Sequence, residues 1–407
     1  MSAPRLSGYA LFAALLATAG IPIYIHAPKF YVDEYGVGLT SLGMVLFGLR
    51  LFDFVQDPAL GWLSQRTAHR RKTMVAGAVS ILVISMTGLF AVPPLTAPLL
   101  WFGMCLTGLF TAFSFLTISF YAQGVVKAIP LGGHGHVHVA AWRETGALLG
   151  ICVASVAPTA LGFTGAPFAV FAAGFAGLAL LAYLTMRSEW ERRARSLQPA
   201  GLREILSDPV CRRLLLIALV NATPVAVTST LFLFFVESRL NAPGLEGPLL
   251  LLFFLAAAAS APAWGRIAMH IGQKRALLAG MGVSVAAFGF ATLLIEGDVT
   301  AFAIICLASG AALGADMTLL PAIFATKLAR VAPDAAQGFG LWSFVSKFTL
   351  AFAALVLLPL LETVGFVVGG ENAPRALNML TLLYALVPCV LKLMAIALLA
   401  STPLLED

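Results

Sequence analysis

Long apolar runs alternate with short polar breaks along the whole chain. An α-helix needs about 20 apolar residues to cross a hydrocarbon core of about 30 Å. Twelve segments of that kind are predicted, at 8–31, 38–63, 73–93, 97–122, 139–162, 165–186, 212–236, 246–268, 275–295, 300–325, 338–366 and 376–401. The first has features of a cleaved leader: Arg5, an apolar run, and a small-residue site at Ala17-Thr18-Ala19. The run continues to Ile25, however, and its removal would leave an odd number of spans, so it is read as the first span.

Composition supports that pattern. Of 407 residues, 60% are hydrophobic and 11% charged, against about 25% charged in an average soluble protein; the mean hydropathy is +0.94. A soluble enzyme, a nucleic-acid-binding module and a disordered scaffold are excluded. The net charge of +6 reads as basic cytoplasmic loops. With both termini inside, 18 of the 25 Lys and Arg fall on cytoplasmic segments, whereas the outer loops hold Lys29, Arg239 and Arg375. The expected setting is a multi-pass protein of the inner membrane, with the lipid bilayer and a small-molecule substrate as partners, no nucleic acid, and a monomeric state. Cys105, Cys152, Cys211, Cys306 and Cys389 have no paired spacing, so neither a disulfide framework nor a zinc site is implied.

The longest polar stretch, Arg187 to Arg213, divides the spans six and six. An all-α organisation follows: an N-terminal six-helix bundle at 1–187, a linker at 188–211 with a short amphipathic helix near Leu202–Leu206, and a C-terminal bundle at 212–407. A repeat supports the division. Gly61-Trp62-Leu63-Ser64-Gln65-Arg66 ends the second span and His69-Arg70-Arg71-Lys72 follows it. Gly265-Arg266 near the end of the eighth span, then Gly272-Gln273-Lys274-Arg275, lie 204 residues further on, half the chain. Parallel halves of this kind belong to transporters whose site lies near the midplane.

The repeated glycine-to-basic loop (Gly61, Arg66, Gly265, Gly272, Lys274, Arg275) resembles the loop signature of the major facilitator superfamily, in which it serves conformational change. Gln65 stands where that signature usually has Asp. Within span two, Arg50-Leu51-Phe52-Asp53-Phe54-Val55-Gln56-Asp57-Pro58 is similar to the helix-two motif of the glycoside–pentoside–hexuronide cation symporters, the melibiose permease-like family. Arg143 in span five and Lys347 in span eleven extend the likeness. It implies that Asp53, Gln56 and Asp57 form a cation site. Two departures argue against a sugar substrate and against an unaltered sodium site: residues 8 to 25 carry no charge, and Thr117 stands where a span-four acid is expected.

Charges inside a bilayer are costly and mark pathways. Those singled out within the predicted spans are Arg50, Asp53, Asp57, Arg143, Glu144, Asp316, Lys347 and Lys392. Arg50, Asp53 and Asp57 sit at i, i+3 and i+7 on one helical face. Two carboxylates one turn apart repel unless a proton or cation lies between them, which is what a coupling site requires. The alternative is an Arg50–Asp53 tie between helices, with Asp57 capping a helix end near Pro58. Arg143 is read as facing the cavity and pairing with Asp53, Asp57 or an anionic substrate; the alternative is a snorkelling side chain partnered by Glu144. Asp316 is expected to pair with Lys347, and Lys392 to snorkel.

Other substrate-facing or charge-balancing candidates are Trp342 and, at the end of span one, Tyr24 and His26, with Lys29 and Tyr31 beside them as a vestibule or an interfacial aromatic belt. His134, His136 and His138 lie on a cytoplasmic loop, and a metal there is the lesser reading. No nucleophile–base pair is apparent, so no enzyme is expected and no cofactor. The primary expectation is a secondary active transporter of a small solute, coupled to H⁺ or Na⁺, working by alternating access. The alternatives are a carrier of a lipid-like or amphipathic solute and a non-transporting assembly or binding factor on the same fold.

Overall fold

The computed structural model describes residues 6–191, 202–332, 335–367 and 370–403, apart from the side chains at 21–25, 29, 39, 40, 50, 54, 159, 191, 350, 351, 354 and 358. Among the described residues the regular structure is entirely helical. The long helices are α1 Leu6–Tyr35, α2 Leu39–Arg66, α3 Arg71–Phe90, α4 Pro98–Ala128, α5 Gly135–Ala160 and α6 Pro167–Met186; the short α7 Leu202–Ser207 comes next. They are followed by α8 Pro209–Phe234, α9 Glu246–Ile271, α10 Gln273–Ala291, α11 Val299–Val331, α12 Ala336–Thr363, α13 Pro374–Thr381 and α14 Val387–Ala400. Nine helical stretches among the described residues are long and apolar enough to cross a membrane. The predicted first, second and eleventh spans lie outside those nine. In α1 the described apolar stretch is Leu6–Gly20.

Helix ends follow local chemistry. Proline, which needs no amide partner in a first turn, opens α4, α6, α8 and α13. At α8 the Asp208 carboxylate accepts from the amides of Val210 and Cys211, both at 2.9 Å. Between α9 and α10, Gly272 takes φ +88°, a conformation that any side chain would strain.

By contacts the chain forms two units. The first comprises Met1–Ile205 with Leu328–Phe344, the second Leu206–Lys327 with Val345–Asp407. In the first, α1 and α5 touch along small residues. A Cβ on Gly146 or Gly150 would collide with the carbonyls of Ala10 and Ala14, so only glycine permits that approach. Tyr9, Phe12, Phe102, Phe120 and Trp190 fill the core of this unit. In the second unit, Gly310 and Gly314 of α11 lie against the backbone of α9 in the same way. Two π-helical turns, Phe235–Arg239 after α8 and Leu382–Leu386 before α14, bring Phe235 and Tyr384 into a stack at 4.2 Å. Large apolar side chains such as Val55, Ile84, Phe290 and Leu355 remain exposed on both units, as lipid-facing surfaces require.

Candidate functional site: a buried carboxylate cluster on α2

Helix α2 continues through Pro58 to Arg66, so Asp57 lies inside it and does not cap a helix end. Asp53 is 2% exposed and Asp57 0%. Each carboxylate is met by a neutral polar group. The Gln56 amide nitrogen donates to Asp53 Oδ1, and its orientation is fixed by Thr111 of α4, whose hydroxyl donates to Gln56 Oε1 at 3.0 Å. The Ser343 hydroxyl donates to Asp57 Oδ2 at 2.7 Å. Ser343 can reach because the first turns of α12, part of the same unit, lie directly on α2. A Cβ on Gly61 would stand 3.2 Å from the Ala336 carbonyl, and one on Gly340 would stand 3.2 Å from the Asp57 carbonyl. The loop glycine thus brings a second helix to the carboxylates. The side chains of Arg50 and Tyr24 lie outside the described residues.

The span-four hydroxyl that meets Gln56 is that of Thr111 and not that of Thr117, which stands at the position of the expected span-four acid. Six residues turn a helix by about 600°, so the two threonines point to different faces. Thr117 Oγ1 is buried with no hydrogen-bond partner among the described residues.

Arg143 takes the local partner. Its Nε lies 2.6 Å from Glu144 Oε1, and its guanidinium covers the Tyr121 ring at 4.0 Å. Both charges are buried, so the side chain does not snorkel. The pairing expected for Asp316 is also different: its partner is Lys392 and not Lys347. Lys392 Nζ also donates to Asn221 Oδ1 at 2.7 Å and is 2% exposed, which overturns the snorkelling reading. Lys392 sits eight residues from the end of α14, about 12 Å along the axis, and the two buried oxygens hold it there. Lys347 and Trp342 are half-buried.

His26 lines a cavity of about 580 Å³ together with Phe30, Asp33, Glu34, Phe90 and Phe168. Tyr31 is fully buried against Phe102 and belongs to the core. Among the described residues no three His, Cys, Asp or Glu side chains gather closely enough to hold a metal; His134 and His138 are exposed.

The loop residues divide by role. Lys274 donates to the carbonyls of Ala400 and Thr402, both at 2.9 Å, neutralising the C-terminal end of α14. Gln65 pairs with Gln337, Arg66 lies 5.0 Å over the Trp62 ring, and Arg275 is exposed. Sequence reasoning missed a second buried polar cluster. Lys127 Nζ lies 3.2 Å from Glu189, Gln123 donates to the Glu189 carbonyl at 2.6 Å, and Arg71 donates to Gln123 at 3.3 Å. Gln123, Thr111 and Asn221 are all amides or hydroxyls inside apolar runs, and the amides were signals available in the sequence.

Apolar helices on this scale, packed through glycines and enclosing buried charges, are those of a polytopic membrane protein. The sequence pattern described as "MFS/sugar transport protein" matches residues 6–406. The chain belongs to that family, within the major facilitator superfamily, and is a membrane transporter. Solved structures agree in fold. A bacterial homologue of the iron transporter ferroportin, in an outward-facing state, shares 17% identity at a TM-score of 0.73, covering 97% of this chain and 98% of that one. The same kind of protein with soaked iron gives 14% and 0.74 over 97% and 98%. The human organic anion transporter MFSD10 (TETRAN) gives 18% and 0.59 over 95% and 98%. No curated protein matches in sequence.

Proposed function

We propose that this chain is a secondary active transporter of a small solute, coupled to H⁺ or Na⁺ and working by alternating access, with Asp53 and Asp57 as the coupling carboxylates. The observation that carries the reading is the burial of both carboxylates one turn apart on α2, with Gln56 and Ser343 donating to them. Oxygen ligands of this kind suit a hard cation. Two buried carboxylates together are expensive when both are charged. Binding one proton or one sodium ion relieves that cost, so occupancy and conformation become linked. Gln56, Thr111 and Ser343 would supply neutral oxygens, while Arg143 and Lys347 would contact substrate or balance charge. The setting is a multi-pass protein of the inner membrane, built from twelve spans in two six-helix bundles.

A second reading, carriage of an amphipathic solute, is favoured by the aromatic cavity around His26, where Phe30, Phe90 and Phe168 have ring centroids within 6 Å of one another. The test is a screen of polar and amphipathic solutes for stabilisation of the purified protein, with and without sodium and across pH. The best solute is then taken into proteoliposomes. Solute-dependent movement of sodium or protons supports the proposal. Binding with no accompanying flux of solute or ion would make the protein a binding factor.

A further inference from the structure

We propose that Asp316, Asn221 and Lys392 form a monovalent-cation site in the second unit, filled by a cation that the chain itself supplies, the Lys392 ammonium. Three helices build it: α8 brings Asn221, α11 Asp316 and α14 Lys392. All three side chains are at least nine-tenths buried. The ammonium is held by a carboxylate oxygen of Asp316 and by the Asn221 amide oxygen at 2.7 Å. The second Asp316 oxygen, Oδ1, is buried and has no hydrogen-bond partner among the described residues. The site therefore offers one more oxygen than the ammonium engages.

That surplus distinguishes a cation site from a simple tie. A buried ion pair that only joined helices would gain little over an apolar replacement, and its oxygens would be expected to be consumed by the donors present. Here a carboxylate, an amide oxygen and an open acceptor surround one positive charge, a donor set of the kind a hard monovalent cation takes. Because the lysine stem tethers that charge, the site needs no soluble ion while Lys392 is in place. The site shares no residue with the proposed coupling cluster at α2, so either proposal can fail without the other.

The test removes the tethered cation and offers free ones. The full-length protein in detergent is melted as Lys392→Ala and as Lys392→Ala/Asp316→Asn, in choline, sodium or methylammonium chloride at equal ionic strength. Choline is bulkier than the side-chain atoms that Lys392→Ala removes. In choline, Lys392→Ala should melt several degrees below the unsubstituted protein. Sodium or methylammonium should restore about half of that loss or more, and the double variant should show no such recovery. Any sodium response of α2 is common to both variants, so the difference between them reports the second unit. Lys392→Met, which fills the stem and leaves the oxygens open, reads the same difference if the alanine variant does not fold. A cation response no larger in both single variants than in the unsubstituted protein would overturn the proposal. So would an equal response from the Asp316→Asn double variant.

Discussion

At the level of single residues, the cost of leaving a charge buried and unmatched governs what each substitution does. Thr111 and Ser343 each give one hydrogen bond to the α2 cluster, and bonds to charged groups contribute about 1.5–3 kcal/mol. Ser343→Ala removes a donor from the Asp57 carboxylate directly. That bond favours the ionised carboxylate. With proton coupling the variant should therefore bind protons about tenfold more tightly, whereas with sodium coupling the loss of a ligand oxygen should weaken sodium binding. Each is read from the ion dependence of uptake. Thr111→Val acts one bond further away and should cost less. Asp208 responds to pH differently. Burial pushes its carboxyl up, but the Lys327 side chain at 2.8 Å and the amides of Cys211 and Val210 outweigh it and hold it below the usual range. A lowered carboxyl contributes stability above the ordinary pKa of about 4 and loses it as pH falls through the lowered value. The melting difference between the unsubstituted protein and Asp208→Ala should therefore be largest near neutrality, about 1 kcal/mol for a lost cap. It should narrow below about pH 4. A difference that widened with acid would contradict the pairing.

At the level of helices, glycine decides which pairs approach. Gly150→Ala would drive a methyl group into the Ala14 carbonyl, and overpacking of this kind costs about 1–3 kcal/mol. Gly174 of α6 has open space around it, so Gly174→Ala should be neutral or stabilising, as helix propensity favours alanine by up to about 1 kcal/mol. Thermal melts of the two variants should move apart by several degrees. Equal melts would show that α1 and α5 do not meet as described. The same principle explains what the sequence made legible. Asp53, Gln56 and Asp57 stand out because charges and amides are rare in an apolar run, and their spacing places them on one helix. Ser343 does not stand out. Its role depends on α12 lying against α2 across Gly61 and Gly340, a contact between residues 286 apart. Lys392 was misread for a related reason. Its distance from a helix end permits snorkelling, and only the packing of α8, α11 and α14 shows the oxygens that hold it.

At the level of the whole molecule, hydropathy and loop charge carried the class, since apolar length and glycine-to-basic turns are local properties of sequence. The membership in the MFS/sugar transport protein family is likewise carried by the whole length, residues 6–406. Substrate chemistry is written in fewer places, in side chains that several helices bring together, and that is where the sequence was least informative. The central claim is that Asp53 and Asp57 carry coupling and not merely stability. Its most direct test compares gradient-driven accumulation with exchange in proteoliposomes for the Asp53→Asn/Asp57→Asn variant, using the solute identified by the stabilisation screen. The account predicts a folded protein whose uphill accumulation collapses while exchange down a gradient persists. Normal accumulation by the folded double variant would contradict it.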